Sequence, residues 1–223
     1  MQDGLIPKIV FEDNKILVVV KPPGILSQSD ITGRPDMLTI LKSYIKQKYN
    51  KPGNVYLGLV HRLDREVGGL MVFARNSKSA AYLSEQIREH HFKKKYIARI
   101  ENWKLPTEGS LVDYLLKDES ANKSSFSTSD NSKAKLSSLN YKVLRKVGAE
   151  TIVEIDLQTG RSHQIRAQFG LRGMPLVGDL KYGSQVYLNT KATNIALWAY
   201  SLEFQKQAST EIYKFIDYPN WFA

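Results

Sequence analysis

The chain contains no cysteine, which excludes disulfides, thiolate nucleophiles and cysteine-ligated zinc. Its four histidines leave few other ways to build a zinc site, so no metal is expected. Acidic residues are in the minority: 22 Asp and Glu stand against 32 Lys and Arg, a formal net charge of +10. A field of that sign attracts polyanions and raises their rate of encounter, which makes nucleic acid the leading partner class. Long hydrophobic runs are also missing. The longest clean runs, such as "ILVVV", are far too short to cross a bilayer. The start, "MQDGLIPKIVFEDNK", has an early acid and lacks the basic opening and apolar core of an export signal. A cytoplasmic protein without membrane association is expected. What is present is enough for a globular body: 223 residues at 42% hydrophobic content can bury a substantial core.

Pattern and turn chemistry outline the elements. Ile9 to Phe11 and Ile16 to Val20, joined by Asp13 and Asn14, read as a hairpin. "KPPG" closes it and leaves Lys21 at a strand end. "DMLTILKSYIKQKYN" predicts a helix with Leu38, Leu41, Ile45 and Lys48 on one face and Asp36 as cap. "NVYLGLV" and "GGLMVFA" predict two buried strands, with residues 61–68 between them. Ser77 to His91 has helical spacing, with Ala80, Leu83 and Ile87 inward and Ser77 or Asn76 as cap. "FKKKYIARIE" reads as a strand with a basic start. Residues 118–138, polar and serine-rich, read as a long exposed loop. "SSLNYKVLRKV", a turn at Gly148 and "ETIVEIDLQTG" continue an antiparallel sheet beyond it. "RSHQIRAQFGLRG" predicts a helix ending at Gly173, followed by the tight connection "MPLVGDLKYGS". "NIALWAYSLEF" gives a late strand, and an aromatic tail is expected to pack on the body. Strands and helices without strict alternation give an α+β fold with a mixed, antiparallel-rich central sheet flanked by helices, as one domain over residues 1–223.

Three clusters carry chemistry. Asp64 sits with His61, Arg62 and Arg65 in the short link between two apolar strands, where a rigid support can aim side chains. Cationic neighbours favour the charged form of a carboxylate, which can then serve as nucleophile or general base. A turn aspartate in a local salt bridge is, from these residues alone, the commoner outcome. In "TGRSHQIRAQF", Arg161, His163 and Arg166 gather at a helix start that suits phosphate or a carboxylate. Arg166 shares a helical face with Phe169 and so points inward, where it needs an anionic partner; Asp64 would be one. In "REHHFKKKYIAR", Lys93, Lys94 and Lys95 precede Tyr96, a pattern suited to RNA: lysines for phosphate and a ring for an unstacked base. A solvated charge run and a core tyrosine would look the same. His90 and His91 point apart at a helix end, which disfavours a metal pair.

Taken together, "HRLDREVGGLMVFARN", "KKKYIARIE" and "TGRSHQIRAQFGLRGMPLVGDLKYG" resemble the RluA-type pseudouridine synthase family, and "ILVVVKPPGIL" extends the resemblance over nearly the whole chain. The resemblance implies a cofactor-free isomerase with an active-site cleft across the sheet, acting on a uridine flipped out of ribosomal or transfer RNA. Asp64 would be the catalytic aspartate of the H-R-L-D motif, assisting cleavage of the bond from uracil nitrogen to ribose before a carbon–carbon bond replaces it. Tyr96 would pack on the uracil, Arg166 would partner the aspartate, and Arg62 would fill space near the vacated base. Lys21, His61, Arg65, Lys93, Lys94, Lys95, Arg161 and His163 join Arg62 as expected RNA contacts. Val67, Gly68 and Gly69 stand where the family often has Thr-Ser-Gly, Gln168 replaces a frequent His, and Met174 stands where "GHP" is usual. Many relatives carry a small basic RNA-binding domain in front; here the catalytic pattern begins within two dozen residues, so the catalytic body is expected to make its own RNA contacts, with no obligate protein partner. The rival reading is a non-catalytic RNA-binding or RNA-folding protein on the same scaffold. A two-carboxylate glycosidase or nuclease fits less well, because no second acid accompanies Asp64 in these motifs.

Overall fold

The computed structural model describes residues 6–186 and 194–222. In chain order its elements are β1 (Ile9–Glu12), β2 (Ile16–Lys21), α1 (Met37–Lys48), β3 (Gly58–Leu59), β4 (Gly68–Ala74), α2 (Ser77–Arg88), β5 (Lys93–Glu101), β6 (Glu108–Asp118), β7 (Lys123–Ser127), β8 (Lys135–Val147), β9 (Glu150–Leu157), α3 (Gln164–Gly170), β10 (Leu197–Gln205) and β11 (Ile212–Ile216). The chain divides into two compact units, Met1–Phe92 with Ala199–Ala223, and Lys93–Trp198. The fold is α+β.

In the first unit the strand order is β1-β2-β4-β10-β11, with β3 also on β4. Asp13 closes the first hairpin by accepting from the backbone N–H groups of Lys15 and Ile16, both at 2.7 Å. β2 and β4 pair antiparallel, with Lys21 opposite Gly69. Both are buried along their whole length, which is why they read as continuous apolar runs without alternation. Each fully buried Leu, Val or Phe here contributes roughly 1.5–3 kcal/mol. The strand expected over "NVYLGLV" is reduced to β3, because the segment meets β4 only at Ala74 and Phe73.

Both helices begin at a side-chain cap, Asp36 accepting from Thr39 N–H at 3.0 Å and Asn76 from Ser79 N–H at 2.8 Å. Their buried stripes differ from expectation. In α1 they are Met37, Leu41 and Ile45, with Leu38 half-buried and Lys48 turned out to Glu12. That carboxylate also accepts from the Tyr44 and Tyr49 hydroxyls and pairs with Arg75, tying α1 to β1 and the end of β4. In α2 the buried residues are Ser79, Leu83 and Gln86, with Ala80 and Ile87 only half-buried. Gln86 goes inward because its amide imitates a strand: it accepts from Gln205 N–H at 2.7 Å and donates to Gln205 C=O at 3.0 Å. The helix stops at Arg88, short of His91, and His90 takes a left-handed conformation (φ 59°). The aromatic tail packs as expected, with Tyr213 and Phe215 against Phe11 and Phe204.

The second unit is an antiparallel sheet in the order β5-β9-β8-β6-β7. The serine-rich stretch is polar and mostly exposed, but it is not a loop. It holds β7 and the first residues of β8, and Ser124 and Ser137 are buried. The backbone ladder to β6 supplies what the side chains lack: Leu116 pairs with Ser125 and Lys117 with Ser124. α3 starts three residues later and ends three residues earlier than the segment expected to form it, and every side chain from Gln164 to Phe169 is buried.

Gly69 has a φ of +121°, and a Cβ there would stand 2.4 Å from the backbone oxygen of Ala199. Gly69→Ala is expected to destabilise the fold by about 3 kcal/mol or more. A urea or thermal melt would show this as a large loss, and a melt within error of the parent would contradict it.

Candidate active site

The link from β3 to β4 carries Asp64, and its backbone is held on both sides of that residue. The Ser27 hydroxyl accepts from Leu63 N–H at 3.1 Å and donates to Leu63 C=O at 2.7 Å. The Arg65 carbonyl accepts from Gly24 N–H at 2.7 Å and from Lys21 Nζ at 3.0 Å. Val67 N–H returns to the Asp64 carbonyl at 3.1 Å. The Asp64 side chain is half-buried at the head of this turn. Rigid backbone on either flank is how a loop residue acquires a defined aim.

Lys21, expected among the RNA contacts, is fully buried. Its ammonium donates to the carbonyls of Pro22 (3.0 Å), Ile25 (2.7 Å) and Arg65 (3.0 Å). Burial lowers it to about 7, against the opposing pull of the Glu66 and Asp64 charges. It is an internal clamp, because the "KPPG" turn folds its own carbonyls back over the strand end. His61 is likewise turned inward, accepting from Val72 N–H through Nε2 at 3.0 Å and packing its ring on Phe92. Arg65 pairs with Glu66 at 2.9 Å. Arg62 is exposed, with no ion pair or hydrogen bond from its side chain among the described residues.

In the second unit, directly paired residues share a sheet face. Tyr96 lies opposite Ile155, which lies opposite Tyr141, which lies opposite Gly109. Phe169 of α3 meets Tyr141 edge-on, so Tyr96 and the helix bearing Arg166 occupy the same face of this sheet. Tyr96 is buried to 6% exposure. Lys94, two residues before it, shares that face. Burial lowers its ammonium, and its Nζ stands 3.3 Å from where a Cβ on Gly160 would be. Lys95 points to the opposite face and pairs with Glu154 at 3.1 Å; Lys93 is exposed at the strand start.

Arg166 is buried, as its helical position requires, and within its own unit it is gripped by Asp179: Nε to Oδ2 at 2.7 Å and Nη2 to Oδ1 at 3.0 Å. Its guanidinium lies 5.4 Å over the ring of Tyr182. Neither residue stands out in the sequence, where "GDLKYG" reads only as a tight connection. An acid and a tyrosine between two glycines, after an apolar run and shortly past an inward arginine, was the available signal. His163 faces inward too, with Nδ1 3.1 Å from the Tyr182 hydroxyl, since its left-handed backbone turns the ring under the helix start. Arg161 is exposed and donates through Nε to the Leu136 carbonyl at 3.0 Å. Gln168, at the frequent-His position, ties α3 to Asp113 of β6 at 2.7 Å, and Met174 receives Lys104 N–H on its sulfur. Among the described residues no group of three His, Asp or Glu could hold a metal ion, and no helix is long and apolar enough to cross a membrane.

An α+β fold of this kind is shared with a solved structure titled human RNA pseudouridylate synthase domain containing 4: the TM-score is 0.79 over 96% of this chain and 90% of that one, at 22% identity. The sequence defines the group more narrowly. The profile described as RNA pseudouridylate synthase matches residues 15–170, through both units, and the chain belongs to that family. It is 30% identical over 214 residues to the ribosomal large subunit pseudouridine synthase D of Pseudomonas aeruginosa, covering 95% of this chain and 64% of that protein. It is 32% identical over 207 residues to the synthase C of Buchnera aphidicola, covering 90% and 63%. For the synthase D of Borreliella burgdorferi the values are 29% over 199 residues, 87% and 60%. The chain thus spans about three fifths of the length of these relatives.

Lys21 gives two measurable consequences. Its folded proton is held more weakly than the ordinary lysine value of 10.5, so between about 7 and 10.5 the unfolded chain binds more protons and stability rises with pH. That contribution is lost as pH falls through about 7. Lys21→Met is expected to remove this slope and, by taking the ammonium from the Pro22 and Ile25 carbonyls and leaving Arg65 C=O only its bond from Gly24 N–H, to destabilise by roughly 2–3 kcal/mol. Urea melts of both proteins across this pH range test it; equal slopes would count against the assignment.

Proposed function

We propose that this chain is an RNA pseudouridine synthase that isomerises uridines in structured RNA, ribosomal or transfer, in the cytoplasm, without a cofactor, and that its two units serve as one catalytic domain. The supporting observation is the loop of Asp64: its backbone is clamped at Leu63 by Ser27 and at Arg65 by Lys21 and Gly24, while the carboxylate itself is half-buried. A salt bridge at a turn does not need that investment of buried donors, whereas a reacting carboxylate needs a fixed aim.

In the proposed reaction the target uridine leaves its stack. Asp64 assists rupture of the bond between the uracil nitrogen and the ribose carbon. The uracil turns, its C5 bonds to the same ribose carbon, and the C5 proton is exchanged for one on the freed nitrogen, so the product is an isomer of the substrate. Tyr96 packs on the uracil, Arg166 partners Asp64, and Arg62 occupies space near the vacated base. Arg62, Arg65, Lys93, Lys94 and Arg161 are the proposed RNA contacts, and the net charge of +10 favours capture of the polyanion. The names of the relatives, which specify the large ribosomal subunit, support ribosomal RNA as the first substrate to examine.

Asp64→Asn is expected to lower the rate of pseudouridine formation in total RNA by at least about 10³-fold while retaining RNA binding. Pseudouridine mapping in RNA from cells with and without the protein identifies the positions. Isomerisation at the normal rate by Asp64→Asn protein would overturn the role of Asp64. RNA binding by the wild-type chain with no uridine isomerised would favour the non-catalytic reading.

A further inference from the structure

Arg166 is a long side chain with many rotamers, buried to 4% side-chain exposure beside a carboxylate buried to 1%. Taking both charges out of water is costly, and a well-packed apolar pair of similar volume often serves stability equally well. What an apolar pair cannot do is orient a guanidinium. Asp179 engages Arg166 along one edge, through Nε and Nη2. Two parallel bonds fix the plane of the group as well as its position. We propose that Asp179 is the positioning residue of Arg166, presenting the donors outside this pair in one set direction for the reaction. This rests on the reading of Arg166 as a participant in that reaction.

The surroundings of Asp179 are built for such a task. Its N–H bonds the Leu176 carbonyl at 2.9 Å, and its own carbonyl accepts from Tyr182 N–H and Ser184 N–H, both at 3.1 Å. The preceding Gly178 is left-handed (φ 84°) and donates to Ser184 Oγ at 3.0 Å. Tyr182 then closes the second side of Arg166. Its hydroxyl accepts from Ser124 N–H of β7 at 2.8 Å, and its backbone runs so near α3 that a Cβ on Gly170 would stand 2.6 Å from its own Cβ. Ser124 is anchored in turn by donating to the Ser162 carbonyl at 2.8 Å. The serine-rich hairpin is therefore a support for the ring beneath Arg166. The carboxylate sets the edge of the guanidinium, and the ring sets its face.

The test uses the full chain and total RNA from cells lacking the protein, labelled at uridine C5, in single-turnover reactions with enzyme in excess. Melting curves establish that each variant is folded at the assay temperature. Asp179→Asn is expected to lower the maximal rate about 100-fold, the order expected for a misplaced group, with less than about a threefold change in the enzyme concentration at half-saturation. Asp179→Glu is expected to recover at least tenfold of that loss. In an Arg166→Lys background, Asp179→Asn is expected to cost less than threefold further, since the group it positions is already gone. Should Asp179→Asn fail to fold, Asp179→Glu alone, which keeps the charge and displaces the edge, is expected to lower the maximal rate at unchanged half-saturation. Folded Asp179→Asn protein with the parental rate, or losses that simply multiply in the double variant, would overturn the positioning role. Full activity of Arg166→Lys would instead overturn the reading of Arg166.

Discussion

A cation taken out of water must be met by oxygen, and that requirement organises both units of this protein. In the first, Lys21 is fully buried, and three backbone carbonyls converge on its ammonium. One belongs to Arg65, which makes the conformation of the loop carrying Asp64 conditional on the lysine. In the second, Arg166 is buried on a helix with no acid of its own, and a carboxylate thirteen residues later turns back to meet it. In each case the desolvated charge is met by several oxygens at once, which ties it to a particular geometry.

Other buried polar groups extend the same logic. Ser27 uses its hydroxyl as both donor and acceptor to hold one residue of the Asp64 loop. Gln86 replaces a missing strand partner at Gln205, and Gln168 joins α3 to β6 from a fully buried position. These contacts connect residues far apart in the chain, and each fails if either partner moves. The segments around Asp64 and Arg166 are thus held by directional side-chain bonds, which add to the backbone ladders and apolar packing of the strands beneath them.

Much of the fold was legible because it rests on local rules. The first hairpin follows from Asp13 and Asn14, the helix starts follow from Asp36 and Asn76, and β4, β5, β8 and β9 follow from apolar runs bounded by turn residues. The misses share a cause. β7 is made of serines and could not announce itself, since its stability comes from the backbone ladder to β6. β3 is shorter than its apolar run predicts, because the run does not reveal how little strand lies beside it. The stripe of α2 is shifted because Gln86 and Ser79 find partners at Gln205 and Gln207, residue types that a hydrophobic pattern treats as solvent-facing.

The sequence by itself determined the family, through motifs whose residues recur in fixed order, and with them Asp64, Tyr96 and Arg166 as the residues of interest; it also determined an inward Arg166, through helical periodicity. Tertiary structure alone decided which expected cations face inward and which outward. Lys21, His61 and His163 are committed to the interior, Lys95 to the face away from Tyr96, and Asp179 with Tyr182 to the support of Arg166. Charge and spacing are properties of the chain and survive in one dimension. Satisfaction of a buried donor depends on which distant oxygen the fold brings within 3 Å, and that exists only once the chain has folded.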